Sequence, residues 1–255
     1  MIDVHCHILF GVDDGPKTIE DTIRIVEKAA KEGITDMVAT PHAFSPHYHV
    51  PKEEIESQIR LLTGCLKAGG YPINLHTGQE VRIHENVIEK IIKNEAMTLA
   101  GSRYLLLELP SQSIPLYTIS VIQTMLENEV IPIIAHPERN RAIAEKPARL
   151  ERLIRQGAFA QVNAGSLSGQ FGKSVQRLSM QLVEANLIHT YGSDVHDTKA
   201  RPLLFYEGLS YLEKKKKHDS IDLLLKNNKC ILHDEPFIIL EPEVPVIKKW
   251  WKSIG

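Results

Sequence analysis

Short apolar segments alternate with amphipathic helical patterns along this chain, and no other sequence feature constrains the fold as strongly. Seven strand-then-helix units follow one another through about 200 residues, from the apolar start of the chain to 189–192. Segments such as 104–109 (YLLLEL) and 131–135 (IPIIA) are almost continuously apolar, which is typical of strands buried on both faces. Because parallel strands need helical crossovers, we predict a parallel sheet covered by helices.

The distribution of polar residues favours a closed barrel over an open sheet. Polar side chains cluster after nearly every predicted strand, as they do at the C-terminal mouth of a β/α barrel. No Gly-x-Gly-x-x-Gly motif follows a strand, which argues against a nucleotide-binding open sheet. Seven units rather than eight predict a distorted (β/α)7 TIM-like barrel. Since no linker interrupts the pattern, we expect one domain over residues 1–255.

Composition excludes several classes of function. A hydrophobic content of 43% is ordinary for a soluble globular protein, and a net charge of -2 provides no general attraction for nucleic acid. No apolar run reaches the roughly 18 residues of a membrane-spanning helix, and the N-terminus lacks a signal-peptide pattern. Three cysteines (Cys6, Cys65 and Cys230) without motif spacing do not suggest a disulfide framework, so we expect a cytoplasmic protein.

Histidines and carboxylates stand at the ends of the predicted strands. His5 and His7 are two positions apart, so on a strand their side chains point to the same face while Cys6 points away. The other candidates are the pair Asp13 and Asp14 after strand one, then His42, Glu80, Glu108, His136, Asp194 and His196. These ligands suit manganese, zinc or iron. They are too many for one tetrahedral ion, so we predict a cluster of two or three divalent metals.

Each candidate also has a simpler explanation. Glu108, inside an apolar strand, would be costly to bury unless it were paired with an arginine or bound to metal. His42 and His136 border prolines and are compatible with plain turns; Glu80 could be a solvated strand-end charge. Asp194 and His196 could cap the next helix. Their joint occurrence at corresponding places favours a metal site. Seven further histidines fall outside the pattern and are expected at surface or core positions: His47, His49, His76, His84, His189, His218 and His233.

Two arginines follow the candidate ligands. Arg139 lies just after His136, and Arg201 lies just after the Asp194/His196 pair. A guanidinium can bind phosphate through two parallel hydrogen bonds, although surface salt bridges are an alternative role for either residue. Divalent ions that activate water, together with such arginines, predict phosphate ester hydrolysis.

The motifs DVHCHI, VDDGP, ATPHAF, HPERN and GSDVHD resemble the polymerase-and-histidinol-phosphatase (PHP) superfamily. In particular, they are similar to the Gram-positive PHP-type protein tyrosine phosphatases of capsule and exopolysaccharide operons, and the resemblance covers essentially the whole chain. It implies a seven-unit β/α barrel with three divalent metal ions, usually manganese, with iron or zinc as alternatives.

The resemblance also implies a role for each site residue. One metal would be bound by His5, His7, Glu80 and Asp194, a second by Glu80, Glu108 and His136, and a third by Asp14, His42 and His196. Asp14 is preferred to Asp13 by resemblance alone, since spacing does not separate them. Arg139 and Arg201 would bind the substrate phosphate.

The implied substrate is phosphotyrosine on the C-terminal tail of a bacterial tyrosine kinase, hydrolysed by direct attack of a metal-bridging hydroxide. A cysteine-based mechanism is excluded independently, because the residues six positions after the cysteines are Val12, Tyr71 and Pro236 rather than arginine. The alternatives are a small-molecule phosphatase of the histidinol-phosphatase type, an amide hydrolase on a similar barrel, and a non-catalytic PHP module. The C-terminal segment 246–251 (VIKKWW) is expected to pack on the barrel.

Overall fold

The computed structural model describes residues 1–244, so the predicted packing of Trp250 and Trp251 lies outside the described residues. The strands of this part are β1 (Ile2–Cys6), β2 (Asp36–Ala39), β3 (His42–Ala43), β4 (Asn74–Thr77), β5 (Glu80–Arg82), β6 (Tyr104–Glu108), β7 (Ile131–Ala135), β8 (Phe159–Asn163) and β9 (Thr190–Gly192). Its α-helices are α1 (Ile19–Lys31), α2 (Lys52–Ala68), α3 (Val87–Ile92), α4 (Thr118–Glu127), α5 (Arg141–Glu145), α6 (Ala148–Arg155), α7 (Ala164–Ser168), α8 (Lys173–Glu184), α9 (Phe205–Lys214) and α10 (His218–His233).

All strands run parallel and form a curled sheet in two hydrogen-bonded parts. The first part has the order β1-β2-β4 and the second the order β3-β5-β6-β7-β8-β9. The segment after β9 returns to β1: the Asp194 N–H donates to the His5 carbonyl at 2.8 Å, and the His7 N–H donates to the Val195 carbonyl at 2.9 Å. These bonds bring the last strand beside the first, as a barrel requires. The predicted distorted barrel is confirmed.

Two of the barrel positions hold two short strands each. The predicted strand 36–40 ends before Pro41, as expected, but a further strand, β3, follows it. β2 continues into β3 across Pro41, which has no N–H to donate to a sheet ladder. The segment 73–81, expected as one strand, divides into β4 and β5 at Gly78. A Cβ at Gly78 would lie 2.9 Å from the Cγ1 of Val38 on the neighbouring strand, so the side chains packed there leave no room for a larger residue. Counting each such pair of short strands once gives seven barrel positions.

Alternating strand residues separate an outer core from an inner one. Leu105 and Leu107 of β6 pack with the surrounding helices, whereas Tyr104 and Leu106 belong to the smaller cluster inside the sheet. That inner cluster is closed at one end by Phe237, whose ring stacks on Tyr104 at 4.3 Å between centroids. The opposite end, where the strands have their carboxyl termini, carries the polar side chains.

Gly192 is required where β9 meets β1. A Cβ at this position would lie 2.6 Å from the Cβ of His5, which is fully buried. We expect Gly192→Ala to lower the free energy of unfolding by about 1–3 kcal/mol, because neither strand has room to move away. Urea denaturation measures this change.

Gly64 provides the matched control. It lies on the exposed face of α2, and a Cβ there would meet nothing within 4 Å. Gly64→Ala should leave stability unchanged or raise it by up to about 1 kcal/mol, since alanine favours helix more than glycine does. Equal stabilities of the two variants would show that the contact between β1 and β9 is loose.

Candidate metal centre

The carboxyl ends of the strands bring all nine predicted ligands into one cleft. Four groups can be formed in which one ligand atom per residue lies within 4.8 Å of the others. They are His5, His7 and Glu80; His5, His136 and Asp194; Glu80, Glu108 and His136; and His7, Asp14, His42 and His196. Within residues 1–244, none of the seven histidines outside the sequence pattern belongs to such a group.

Glu80, the first residue of β5, lies at the centre of these groups and is only 1% exposed. Its Oε1 is 2.7 Å from His136 Nε2, and its Oε2 is 3.2 Å from His7 Nε2. The same Oε2 is 3.2 Å from His42 Nδ1, since His42 of β3 pairs in register with Glu80. One carboxylate thus contacts histidines from three different barrel positions.

The neighbouring aspartates Asp13 and Asp14 have different surroundings. Asp13 is buried, and its Oδ2 accepts a hydrogen bond from His7 Nδ1 at 2.9 Å. Asp14 Oδ1 lies 3.4 Å from His42 Nε2 and 3.3 Å from His196 Nε2. Asp13 therefore orients a candidate ligand from behind, whereas Asp14 offers its oxygen to the cleft. This arrangement favours Asp14 over Asp13 as a ligand.

Glu108 combines the two roles that its sequence position suggested. One oxygen is 3.0 Å from Arg82 Nη1, a partner that the sequence analysis did not identify. The side chain also joins Glu80 and His136 in one of the possible metal groups. Burial and then the nearby charge of Glu80 raise the pKa of Glu108. Arg82 offsets this like-charge repulsion, and the second carboxylate oxygen leaves Glu108 able to act as a ligand.

Strand β8 supplies no candidate ligand, but two of its side chains form hydrogen bonds to candidate ligands from other parts of the barrel. Gln161 accepts a hydrogen bond from His5 Nδ1 at 2.8 Å, and Asn163 donates to Asp194 Oδ2 at 2.6 Å. Both amides are fully buried. Gln161 and Asn163 were not predicted as site residues from the sequence. The signal that could have identified them is the presence of two amides within the otherwise apolar segment AFAQVN. Such outer partners fix the orientation of metal-binding side chains.

Two of these strand ends have left-handed backbone conformations. His136 has φ 32° and ψ 56°, and Asp194 has φ 53°. Left-handed conformations cost non-glycine residues about 1–3 kcal/mol and persist only where surrounding contacts impose them. At Asp194 the hydrogen bonds between β1 and the chain after β9 impose this conformation. The strained backbone directs both side chains into the cleft.

The unpartnered polar atoms of the cleft test whether divalent metals fit it. Six buried atoms of the candidate ligands have no hydrogen-bond partner among residues 1–244: His5 Nε2, His7 Nε2, Asp14 Oδ1, His42 Nδ1, Asp194 Oδ1 and His196 Nε2. Leaving such atoms unpaired is costly. On His5, His7 and His196 the Nδ1 atom instead contacts an oxygen acceptor, which directs the Nε2 lone pair towards the cleft. Histidines and carboxylates arranged in this way fit manganese, iron or zinc.

The charges of the cleft depend on one another. Burial alone would raise the pKa of Glu80, but His5 and His136 hold it well below its usual value. Burial alone would likewise raise the pKa of Asp194, but Arg201 and His5 keep the pKa of this carboxyl well below the usual range. Glu80 and Asp194 therefore stay ionised and attract cations.

The two predicted arginines converge on one oxygen of Asp194. Its Oδ2 accepts from Arg139 Nη1 at 2.8 Å and from Arg201 Nη2 at 2.7 Å. Both guanidinium groups line a cavity of about 220 Å³ together with Glu80, Glu108 and other candidate ligands. The ring of Phe171 packs against the Arg139 guanidinium at 4.5 Å. Both arginines can therefore donate to an anion that enters the cleft.

The fold and the site define a class: a seven-position α/β barrel with a candidate multi-metal centre at its carboxyl-terminal mouth. Within that class, the chain belongs to the family described as capsular polysaccharide synthesis, CpsB/CapC, whose model matches residues 1–233. It is 37% identical over 251 residues to CapC of Staphylococcus aureus, covering 98% of both chains. It is 36% identical over 249 residues to the tyrosine-protein phosphatase YwqE of Bacillus subtilis, again covering 98% of both. The family resemblance is confirmed.

Solved structures agree with this assignment. A chain from the structures of B. subtilis YwqE and Streptococcus pneumoniae CpsB, described as metal-dependent tyrosine phosphatases, superposes with a TM-score of 0.94 at 35% identity, covering 97% of this chain and 100% of that one. The lactonase Lmo2620 from Listeria monocytogenes superposes with a TM-score of 0.51 at 10% identity, covering 94% and 92%, and shares the fold alone. No helix within residues 1–244 is long and apolar enough to cross a membrane.

We expect His136→Ala to lose about one bound divalent ion per chain, because His136 joins Glu80 and Glu108 in one group. Mass spectrometric metal analysis after manganese loading and desalting measures the stoichiometry. His218→Ala, at an exposed position in α10, is the control and should retain all bound metal. An unchanged metal content in His136→Ala would remove His136 from the ligand set.

Proposed function

We propose that this chain is a metal-dependent protein tyrosine phosphatase of the capsule or exopolysaccharide system. Membership of the CpsB/CapC family and the activity in the names of its relatives support this proposal. The observation that carries it is the pair Arg139 and Arg201 beside nine converging histidines and carboxylates. The cleft thus combines groups that hold cations with groups that bind phosphate.

We propose three divalent ions, most readily manganese, with iron or zinc as alternatives. His5, His7, Glu80 and Asp194 would hold one, Glu80, Glu108 and His136 a second, and Asp14, His42 and His196 the third. The proximity of His7 to Asp14 and His42 makes it available to the third set as well. Bound ions of this kind activate water near neutral pH and neutralise charge on phosphoryl oxygens.

The protein's own groups position the phosphate. Arg139 and Arg201 approach Asp194 Oδ2 from two sides, which fixes both guanidinium groups while leaving other N–H donors for a substrate. Their side chains are 31% and 26% exposed, so a phosphate that enters from solvent meets them at the rim. His5, His7 and Glu80 are almost fully buried beneath.

The substrate we propose is phosphotyrosine on the C-terminal tail of a bacterial tyrosine kinase. We further propose that the reaction takes place in the cytoplasm, with residues 1–255 acting as one domain. The free thiols of Cys6, Cys65 and Cys230 fit a reducing compartment.

The deciding experiment compares hydrolysis of a phosphotyrosine peptide, a phosphoserine peptide and histidinol phosphate by the manganese-loaded protein. We expect phosphotyrosine to be preferred and a chelator to abolish turnover. A preference for histidinol phosphate would instead assign the site to small-molecule metabolism. Absence of turnover on every substrate would favour a non-catalytic module.

We expect Arg139→Ala to lower the rate of phosphotyrosine hydrolysis by about 100- to 1,000-fold, because it removes a charged donor to the phosphate. Bound manganese should remain, since Arg139 contacts Asp194 but supplies no ligand atom. Kinetics and metal analysis of the same preparation separate the two effects. Arg24→Ala, an exposed arginine in α1 that pairs with Asp21, is the control. Loss of metal from Arg139→Ala would mean that Arg139 only supports the centre.

Cys6→Ser should retain the wild-type rate within about twofold. Cys6 is fully buried, its Sγ donates to the Val38 carbonyl at 3.2 Å, and burial raises the pKa of its thiol. It therefore lies on the opposite face of β1 from the cleft and is not a thiolate. The same steady-state assay checks this variant, and a strong loss of rate without unfolding would contradict the metal-based mechanism.

A further inference from the structure

A second depression lies next to the metal cleft. It encloses about 580 Å³ between residues 112–119, which lead into α4, and residues 142–153 of α5 and α6. We call this depression the flank groove. It lies outside the candidate ligand set, and its open shape suits an extended chain better than a small ligand.

Both walls of the flank groove follow closely in sequence on residues that line the metal cleft. On one wall, Ser111 lines the cleft and the next residue, Gln112, lines the groove. On the other wall, Asn140 lines the cleft and Ala142, two positions later, lines the groove. The walls are held together, because the Arg141 N–H donates to the Ser111 carbonyl at 2.8 Å and Asn140 Nδ2 donates to the Pro110 carbonyl at 2.8 Å. A peptide leaving the cleft on this side would therefore enter a preformed surface.

The chemistry of the groove is apolar on one wall and basic on the other. Leu116 is fully exposed, and Ile119 beside it is only partly buried. On the opposite wall Arg149 and Arg152 are exposed. Among the described residues Arg152 has no ion-pair partner, whereas the carboxylate of Glu145 is shared by Arg141 and Arg149. The wall therefore keeps positive charge available for an incoming carboxylate.

We propose that the flank groove binds the part of a phosphoprotein substrate that flanks its phosphotyrosine, and that it selects an apolar side chain with a nearby carboxylate. This inference rests on the proposed function. Leu116 lies five positions after Ser111 of the cleft, so the two are at most about 18 Å apart. At about 3.3 Å per extended residue, the selected side chains lie within about five positions of the phosphotyrosine.

Steady-state kinetics of the manganese-loaded protein on three substrates test the proposal. The first substrate is p-nitrophenyl phosphate, which has no flanking residues. The second is a phosphotyrosine peptide with leucine and glutamate on either side of the phosphotyrosine. The third is the same peptide with glycine and lysine in place of leucine and glutamate. We expect kcat/KM to be about three- to tenfold higher for the leucine–glutamate peptide. Arg152→Ala and Leu116→Ser should each reduce this difference and leave p-nitrophenyl phosphate hydrolysis unchanged.

Arg60→Ala and Leu61→Ser are the matched controls, because both residues are exposed on α2 and distant in sequence from the groove. They should preserve the preference between the peptides. Equal kcat/KM for both peptides, or a preference that survives Arg152→Ala and Leu116→Ser, would contradict the peptide-binding role of the groove. Neither result would contradict the proposed phosphatase activity. If Arg152→Ala or Leu116→Ser changed the sedimentation coefficient of the protein but not its preference between the peptides, the peptide-binding role of the groove would also be overturned. The groove would then be a contact between two copies of the chain. No hydrolysis of any aryl phosphate would refute the proposed function itself.

Discussion

The buried carboxylate of Glu80 is the group on which the rest of the site depends. An ionised carboxylate at 1% exposure is strongly unfavourable unless opposite charge or hydrogen-bond donors surround it. His7, His42 and His136 approach its two oxygens, and each comes from a different barrel position. In the part of the chain that the structure describes, several of the surrounding nitrogen and oxygen atoms have no hydrogen-bond partner, so the protein compensates the buried charge only in part. The site is thus built to be completed by cations.

The barrel achieves this arrangement by breaking two of its strands. The breaks at Pro41 and Gly78 separate β2 from β3 and β4 from β5, so that His42 and Glu80 pair across short strands at the mouth. A regular strand through either position would continue the apolar alternation instead. Around this pair the other strands contribute candidate ligands from their ends, and β8 contributes buried amides. The fold therefore places the candidate ligands in the cleft and their hydrogen-bond partners directly behind them.

Much of this could be predicted from sequence because strand ends are recognisable as apolar runs that stop at polar pairs. The pair His5 and His7 needed only the two-residue period of a strand. Asp194 and His196 lie beyond the end of β9, and their approach to the cleft depends on the left-handed backbone of Asp194. The sequence could not show which of Asp13 and Asp14 points into the cleft, because the side-chain directions of adjacent loop residues follow no regular period. Arg82 and Gln161 escaped prediction because their roles depend on which strand lies beside them. The break at Gly78 depends on the close approach of Val38, which local sequence does not show.

The most direct test of the central claim is a crystal structure of the manganese-loaded protein with diffraction data collected on both sides of the manganese absorption edge. We expect three anomalous peaks in the cleft, with Glu80 between two of them and Asp14, His42 and His196 around the third. A single peak, or peaks that leave the unpartnered nitrogens of His5 and His196 without a metal neighbour, would contradict it.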